Sequence, residues 1–139
     1  MKKAFFEELL RERCIFDSLP GKFRKLWFKY MLAFLEQCFD PETQYSKFTS
    51  ECSGKILLTL EIDNAQINEC INNSFAIPGN FSSDNVLLAR DQADEFSNRI
   101  RATPQVSIGQ GFLYRGEFRA YDLKQAVCSA FRRQPPECR

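Results

Sequence analysis

Six cysteines and no histidine constrain the fold of this 139-residue chain more than any other feature of its sequence. No two cysteines are spaced as CxxC, and the lack of histidine removes the usual ligands of a zinc site, so neither a metal nor a cofactor is predicted. An even number of cysteines favours disulfides, which form in oxidising compartments. Their pairing stays open, apart from Cys138, whose nearest candidate partner is Cys128. The disulfide candidates are Cys14, Cys38, Cys52, Cys70, Cys128 and Cys138.

The composition is that of one globular domain and argues against a disordered, a nucleic-acid-binding or a membrane-spanning protein. Hydrophobic residues make up 44% and charged residues 27% of the chain, which is too apolar for a disordered protein. A net charge of +1 provides no electrostatic footprint for nucleic acid. No run of about 18 apolar residues is present, so no membrane span is predicted.

Residues 1–8 carry two glutamates and are not typical of a signal peptide. We therefore expect either part of a longer precursor or a chain outside the secretory route.

Residues 103–131 carry the most specific structural pattern. Polar and apolar residues alternate over Gln105–Ile108, two glycines follow, and residues 112–114 return as a second strand that ends at Gly116. Glycine supplies the positive φ angles that a hairpin turn requires. The pattern predicts a β-hairpin followed by an amphipathic helix. The apolar positions of that helix are Tyr121, Leu123, Ala126, Val127, Ala130 and Phe131.

Two helices are predicted at the start of the chain. The first ends near the Leu-Pro-Gly sequence at residues 19–21, and the second, at residues 23–39, ends before Pro41. The second contains an aromatic stripe at helical spacing, which favours packing in a core. Binding of a ligand or of a partner helix is the alternative. The stripe consists of Phe23, Trp27, Tyr30, Met31, Phe34, Leu35 and Cys38.

Three further helices are predicted before the hairpin. Residues 45–60 form the third helix, and Asp63 is the N-cap of a short fourth helix. Ser83 or Asp84 caps a fifth helix, whose narrow apolar face extends to Ile100. At the other end of the chain, the proline pair within residues 134–139 predicts a tail that is not helical. The apolar face of the fifth helix consists of Val86, Ala89, Ala93, Phe96 and Ile100.

Charged residues on the first helix are interpreted as solvated. Glu7 and Glu8 are adjacent in sequence and point apart, so they do not form a catalytic pair. Arg11 and Arg13 are likewise interpreted as lying on an exposed helix face. Because the chain has neither a CxxC thiol nor a histidine for base chemistry, we expect no enzymatic activity.

Two N-glycosylation sequons lie in one loop rich in turn residues. Asn72 and Asn80 each occupy the first position of an Asn-x-Ser triplet. A sequon alone is a weak signal. Sequons and an even number of cysteines nevertheless both favour an oxidising lumen.

Taken together, these segments resemble the central luminal region of plant-type vacuolar sorting receptors. The resemblance extends over nearly the whole chain from about Leu9 and rests on the order and spacing of the six cysteines around the Tyr-Arg-Gly hairpin. The loop between Asn72 and Asn85 departs from the acidic loop of that family, so no contact made there carries over. The matching segments are LLRERC, LWFKYMLAFLEQC, YSKFTSEC, INECI, NVLLARDQ, TPQVSIGQGFLYRGEF, LKQAVCSAF and a final Pro-x-Cys.

The resemblance implies a fold class and a division of the chain. The chain is then α+β and mostly helical: the second half of a thioredoxin-like fold, made of a β-hairpin plus a helix, preceded by a disulfide-linked helical insertion. Residues 1–72 form the helical insertion subdomain, residues 73–84 a loop, and residues 85–139 the C-terminal half of the thioredoxin-like domain. In such folds the proline before the hairpin, here Pro104, is cis; an ordinary hairpin with a trans proline is the alternative.

The resemblance also implies a function. The residue before the cis proline offers its backbone to an extended peptide, which implies a peptide-binding site at Ala102, Thr103 and Pro104. The chain is then a non-catalytic luminal protein- or peptide-binding module, similar to a segment of a vacuolar or lysosomal cargo-sorting receptor, in the secretory pathway lumen (Golgi, endosome or vacuole). The alternative is a structural subunit of a larger organellar or extracellular assembly that completes its sheet with a partner chain.

A partner is also expected at the hairpin. In receptors of this family, a protease-associated domain and the first half of the thioredoxin fold precede this region, and epidermal-growth-factor-like repeats, a membrane span and a tail follow it. Two strands alone are marginal in water. We therefore expect a protein or peptide partner to cover the strand edge Gln105–Ile108: a separate subunit, a second copy, or another portion of a precursor.

Overall fold

A computed structural model describes residues 2–40, 42, 48–98, 100, 105–108, 112–116 and 119–139. This part of the chain is mostly helical with one β-hairpin, as predicted. Contacts divide the chain into two compact units, Met1–Ala89 and Arg90–Arg139; the predicted division at residues 72 and 84 stays a prediction. The elements are α1 (Lys2–Ser18), a 3₁₀ turn (Gly21–Phe23), α2 (Lys25–Gln37), α3 (Ser50–Thr59), α4 (Asn64–Asn73), α5 (Val86–Ser97), β1 (Gln105–Ile108), β2 (Phe112–Arg115), α6 (Ala120–Ser129) and a second 3₁₀ turn (Pro136–Cys138).

The core of the first unit forms where α1 to α4 pack together. Residues of one face of each helix are buried, and the aromatic stripe of α2 contributes Tyr30, Phe34 and Cys38, so core packing is confirmed for these three. The removal of apolar core residues from water is the main favourable contribution to folding, at about 25 cal/mol for each Å² of apolar surface buried. The buried apolar residues of this unit are Leu10, Cys14, Ile15, Tyr30, Phe34, Cys38, Ile56, Leu57, Ile62, Ile67, Ile71, Phe75 and Leu87.

Local capping sets where the helices begin. The Asp63 carboxylate accepts hydrogen bonds from the backbone N–H groups of Ala65 (2.9 Å) and Gln66 (3.2 Å), so the predicted N-cap is confirmed. The third helix, predicted from residue 45, does not include residues 48 and 49, so its predicted start is wrong there; residues 45–47 lie outside the described part of the chain. Thr49 is extended and its hydroxyl accepts from the backbone N–H of Cys52 at 3.1 Å, which makes Ser50 the first helical residue.

The predicted cap and the predicted apolar face of α5 are both wrong. Asn85, and not Ser83 or Asp84, caps the helix, because its Oδ1 accepts from the backbone N–H groups of Leu87 (3.0 Å) and Leu88 (3.1 Å). This cap fixes the rotation of the helix so that Leu87 is buried. The predicted face is exposed at Val86, Ala89, Ala93 and Phe96, and the helix ends at Ser97, before Ile100.

The second unit contains the hairpin and α6. β1 and β2 are antiparallel, with Val106 opposite Tyr114 and Ile108 opposite Phe112, as the sequence predicts. Gly116 follows β2 with a φ of 88°, a conformation that side chains disfavour. In α6, Ala126 and Cys128 are buried.

Two predictions for the end of the chain are wrong. Tyr121, Val127 and Phe131 of the predicted apolar face are exposed. The tail also forms the short 3₁₀ turn Pro136–Cys138. Proline is tolerated there because it occupies the first position of the turn, where no backbone donor is needed.

Three disulfides pair all six cysteines. Cys14–Cys70 joins α1 to α4, and Cys38–Cys52 joins the end of α2 to α3. Cys128–Cys138 joins α6 to the tail, the pair that the sequence indicated. Among the described helices, none combines the length and the apolar composition needed to cross a membrane.

Candidate functional site

The sequence-predicted peptide site lies outside the described residues, since these do not include Ala102, Thr103 or Pro104. The structure does describe the adjacent strand, Gln105–Ile108, as half of a two-stranded antiparallel ladder. A concave site elsewhere, in the first unit, was not predicted from the sequence.

This site is a cavity of about 490 Å³ between α1 and residues 75–88. One wall is formed by Lys3, Phe6 and Leu10, whose spacing of three and four residues places them on one face of α1. Its volume lies within the range of small-ligand sites, about 300–1,000 Å³. It can therefore hold a large apolar side chain together with its flanking backbone.

The second wall is aromatic and aliphatic. Phe75 and Phe81 lie with ring centroids 4.8 Å apart, and Leu88 contributes from the first turn of α5. An apolar ligand group gains from leaving water against such walls, at about 25 cal/mol for each Å² buried. The wall composition therefore favours an apolar ligand group over a polar one.

Hydrogen bonds hold the second wall in place. The Asn85 amide donates to Ser74 Oγ at 2.7 Å while its oxygen caps α5, and Ala76 N–H donates to the Asp84 carbonyl at 2.8 Å. Ile77 N–H donates to Ser83 Oγ at 3.2 Å. These bonds close residues 74–86 into a compact loop, so the wall does not depend on a ligand for its shape.

Two opposite charges border the cavity. Lys3 Nζ lies 4.8 Å from the centre of the Phe81 ring, a cation–π arrangement, and Asp84 lines the other wall. Neither side chain forms an ion pair with another described residue. A ligand that places an apolar group between a carboxylate and a cation complements this border.

A buried polar cluster holds α1, which forms one wall of the cavity, against the neighbouring helices. Glu8 accepts hydrogen bonds from Tyr30 OH (2.5 Å), Ser53 Oγ (2.8 Å) and Arg11 Nη1 (2.8 Å). Glu7 accepts from Ser50 Oγ at 2.7 Å. Glu8 and Arg11 are buried, so their interpretation as solvated residues is wrong. The cluster joins α1 to α2 and α3.

Among the described carboxyl groups, that of Glu12 has the most strongly shifted pKa. It borders a smaller hollow of about 110 Å³, lined also by Phe5, Leu9 and Leu35. Burial, with a smaller contribution from the nearby charge of Glu8, raises the pKa of Glu12 from 4.5 to about 7. No described side chain donates a hydrogen bond to its carboxylate. Burial in a hydrophobic hollow therefore explains the shift without requiring a reaction.

Comparison with known proteins assigns the family. The family model for the vacuolar sorting receptor thioredoxin-like domain matches residues 2–128. The chain belongs to this family. The predicted resemblance to vacuolar sorting receptors is thus confirmed.

Two similar relatives are receptors of this kind. Vacuolar-sorting receptor 2 of Arabidopsis thaliana is 28% identical over 137 residues, which cover 93% of this chain and 20% of that receptor. Vacuolar-sorting receptor 1 of Pisum sativum is 23% identical over 128 residues, which cover 89% of this chain and 19% of that receptor. The chain therefore spans about a fifth of the length of these relatives. No solved structure matches it significantly.

The family assignment refines the fold class. The chain is a thioredoxin-like domain of the vacuolar sorting receptor family, mostly helical and crosslinked by disulfides. The finer assignment, as the second half of a thioredoxin fold preceded by a helical insertion, stays a prediction.

Proposed function

We propose that this chain is a luminal, non-catalytic segment of a sorting receptor, and that its cavity binds an apolar side chain of a protein or peptide ligand. The observation that carries the proposal is the cavity itself: apolar walls, with Lys3 and Asp84 at its border. Family membership supports the receptor role. The ligand is then an extended peptide with an apolar residue placed between an acidic and a basic group.

The disulfides support the luminal location. Cys14–Cys70 and Cys38–Cys52 both lie in the first unit, where they crosslink the four helices of its core. Disulfides persist in oxidising compartments and are rare in the cytosol. A lumen of the secretory pathway satisfies this requirement.

The polar groups at the cavity favour binding over catalysis. The Ser83 hydroxyl donates to the Asn80 carbonyl at 2.9 Å, and the Asn85 amide is used in capping and in its bond to Ser74. A nucleophile or general base must instead be free to reach the substrate. These groups therefore shape the wall and do not act on a substrate.

The hairpin supplies a second contact in this proposal. Peptide binding at Ala102, Thr103 and Pro104 adds a strand-like segment beside β1, and a partner covers the edge of Gln105–Ile108. Support comes from the size of the sheet in the described residues, since a ladder of two strands is marginal unless it packs against further structure.

Peptide binding tests the cavity. The probes are fluorescent heptapeptides with Phe, Leu, Ala or Asp at the centre, flanked by Glu on one side and Lys on the other. We expect the chain to prefer Phe and Leu, and Phe6→Ala to weaken binding about tenfold, or about 1.4 kcal/mol. Phe23→Ala is the matched control, because Phe23 is similarly exposed (42% against 45%) but does not line this cavity.

Two further variants test separately the charges at the border of the cavity and the contribution of the hairpin site. Lys3→Glu with Asp84→Lys should invert the preferred order of the flanking charges. Thr103→Pro should weaken binding only if the hairpin site contributes. A chain that binds none of the heptapeptides, and instead co-purifies with protein subunits, would be a structural subunit and not a receptor module.

Glycosylation is part of the proposed luminal function. Asn72 and Asn80 are both exposed. The Oδ1 atom of Asn80 accepts a hydrogen bond from the Ser82 N–H at 3.0 Å. Expression through a secretory pathway should add one glycan at each site. Asn72→Gln and Asn80→Gln should each remove one glycan mass; unchanged masses in both variants would contradict the assignment.

A further inference from the structure

Helix α2 has an apolar face that the core does not use. Tyr30 and Phe34 point into the core, while Phe28, Leu32 and Leu35 are 61%, 62% and 53% exposed. These three residues are spaced by four and three positions and therefore share one face of the helix. We call this face the α2 stripe. Adjacent exposed apolar side chains of this size mark interaction surfaces more often than single ones.

A small hollow extends the α2 stripe. Leu35 borders the hollow of about 110 Å³, together with Phe5, Leu9, Met31 and the carboxyl groups of Glu8 and Glu12. Phe5 and Leu9 are themselves 40% and 38% exposed. A hollow beside an apolar face provides the pocket into which a partner inserts an anchoring side chain.

The part of the α2 stripe formed by Phe28 and Leu32 has basic neighbours on its own helix. Residues 21–37 contain four basic residues and one acidic residue, Glu36. Lys22 and Arg24 lie over the rings of Phe23 (4.9 Å) and Phe16 (4.5 Å). Lys25 and Lys29 are exposed and form no ion pair with a described residue. The helical period places both lysines beside Phe28 and Leu32.

We propose that the α2 stripe is a docking surface for an acidic amphipathic helix of a protein partner. Its apolar residues pack on Phe28 and Leu32, one of them enters the hollow beside Leu35, and its carboxylates pair with Lys25 and Lys29. Charge complementarity selects this partner, because the cations of α2 repel a basic segment and attract an acidic one.

The same charges disfavour two other occupants. A second copy docking through its own α2 stripe would bring Lys25 and Lys29 of both copies together across a two-fold interface. A membrane is disfavoured because negative lipid charge is concentrated in the cytoplasmic leaflet, whereas the disulfides indicate an oxidising compartment.

Helical peptides of about four turns test the proposal with the full chain. One probe carries Leu at positions i, i+4 and i+7 flanked by Glu, the second carries Lys in place of every Glu, and the third probe is a vesicle containing about one third phosphatidylserine. Anisotropy of the labelled peptides and co-sedimentation with the vesicles report binding. We expect binding of the Glu peptide only, weakened at least tenfold by Phe28→Ser with Leu32→Ser and by Lys25→Glu with Lys29→Glu.

A matched variant controls for loss of apolar surface. Leu58 on α3 is 79% exposed and lies on neither the α2 stripe nor the hollow, so Leu58→Ser should leave binding unchanged. All substituted residues are exposed, and unchanged unfolding midpoints will show that the variants fold. Equal binding of the Glu and Lys peptides, vesicle binding without Glu-peptide binding, or a dimer that Phe28→Ser abolishes would each overturn the proposal.

Discussion

The Tyr30 hydroxyl donates a 2.5 Å hydrogen bond to Glu8 Oε1, which joins α2 to α1 inside the core of the first unit. Both residues are buried, and the second Glu8 oxygen accepts from Arg11 and Ser53. Burial, with the charge of Glu8 and this hydrogen bond, raises the pKa of Tyr30. Tyr30 therefore keeps its proton and remains a hydrogen-bond donor at neutral pH.

Removing the Tyr30 donor should destabilise the fold. Tyr30→Phe leaves a buried carboxylate with one donor fewer, and a hydrogen bond to a charged group contributes about 1.5–3 kcal/mol. We expect the free energy of unfolding, measured by denaturant with the disulfides intact, to fall by about 2 kcal/mol. Tyr121→Phe is the control, since Tyr121 is exposed; an equal loss in both variants would contradict the role of Glu8.

Glu12 should make stability decrease as pH rises. Its pKa is about 7 in the fold against an ordinary 4.5, so between these two values the folded state binds more protons than the unfolded state. The free energy of unfolding then falls as pH rises through this window, and the loss is complete above it.

Glu12→Gln should remove this dependence. Relative to the parent chain, the variant should gain stability at pH 8 and show little gain at pH 4, as read from denaturant midpoints at both values. Glu51→Gln provides a control of opposite sign, because the hydrogen bond from Lys55 lowers the pKa of Glu51. A gain for Glu12→Gln that is the same at both pH values would argue against the raised pKa.

The disulfides should differ in their contribution to stability. Cys14–Cys70 spans 56 residues and Cys128–Cys138 spans 10. Loop-closure entropy then gives about 4 kcal/mol for the longer loop and about 3 kcal/mol for the shorter. Double alanine variants of each pair, compared by thermal unfolding, should show the larger loss for Cys14 with Cys70. The reverse order would mean that strain or residual structure dominates over chain entropy.

Asn85 should be required for the cavity wall. Asn85→Ala removes the cap of α5 and the bond to Ser74, at a cost of about 1–2 kcal/mol for the cap, and should weaken heptapeptide binding. Asp84→Ala keeps the cap and should preserve stability while changing only the charge preference of the ligand. Similar stability losses in both variants would show that Asp84 shares the capping role.

The sequence predicted those elements that depend on residues close to one another along the chain. Asp63 was recognisable as a cap because one acidic residue stands directly before a helical pattern. Before α5 three capping residues stand in succession, from Ser83 to Asn85, and Asn85 is the one that also contacts Ser74 and Phe75, ten or more residues earlier in the chain. The hairpin was predictable because glycine and strand alternation act within a few residues.

The cavity and the buried polar cluster could not be predicted in this way. Glu8 and Arg11 look like solvated residues of α1, and their burial depends on Tyr30 and Ser53, which lie 22 and 45 residues from Glu8. The cavity likewise requires α1 to face residues 75–88. Contacts across such sequence distances leave no periodic pattern in a single sequence.

The Cys14–Cys70 bond also connects the two walls of the cavity. α1 provides one wall of the cavity, and α4 leads directly into the other. The bond therefore adds a covalent link between the two walls to the noncovalent packing of α1 against α4. Under the proposed function, reduction of this one bond would loosen the walls of the binding site, so the redox state of the surroundings would set how firmly a ligand is held.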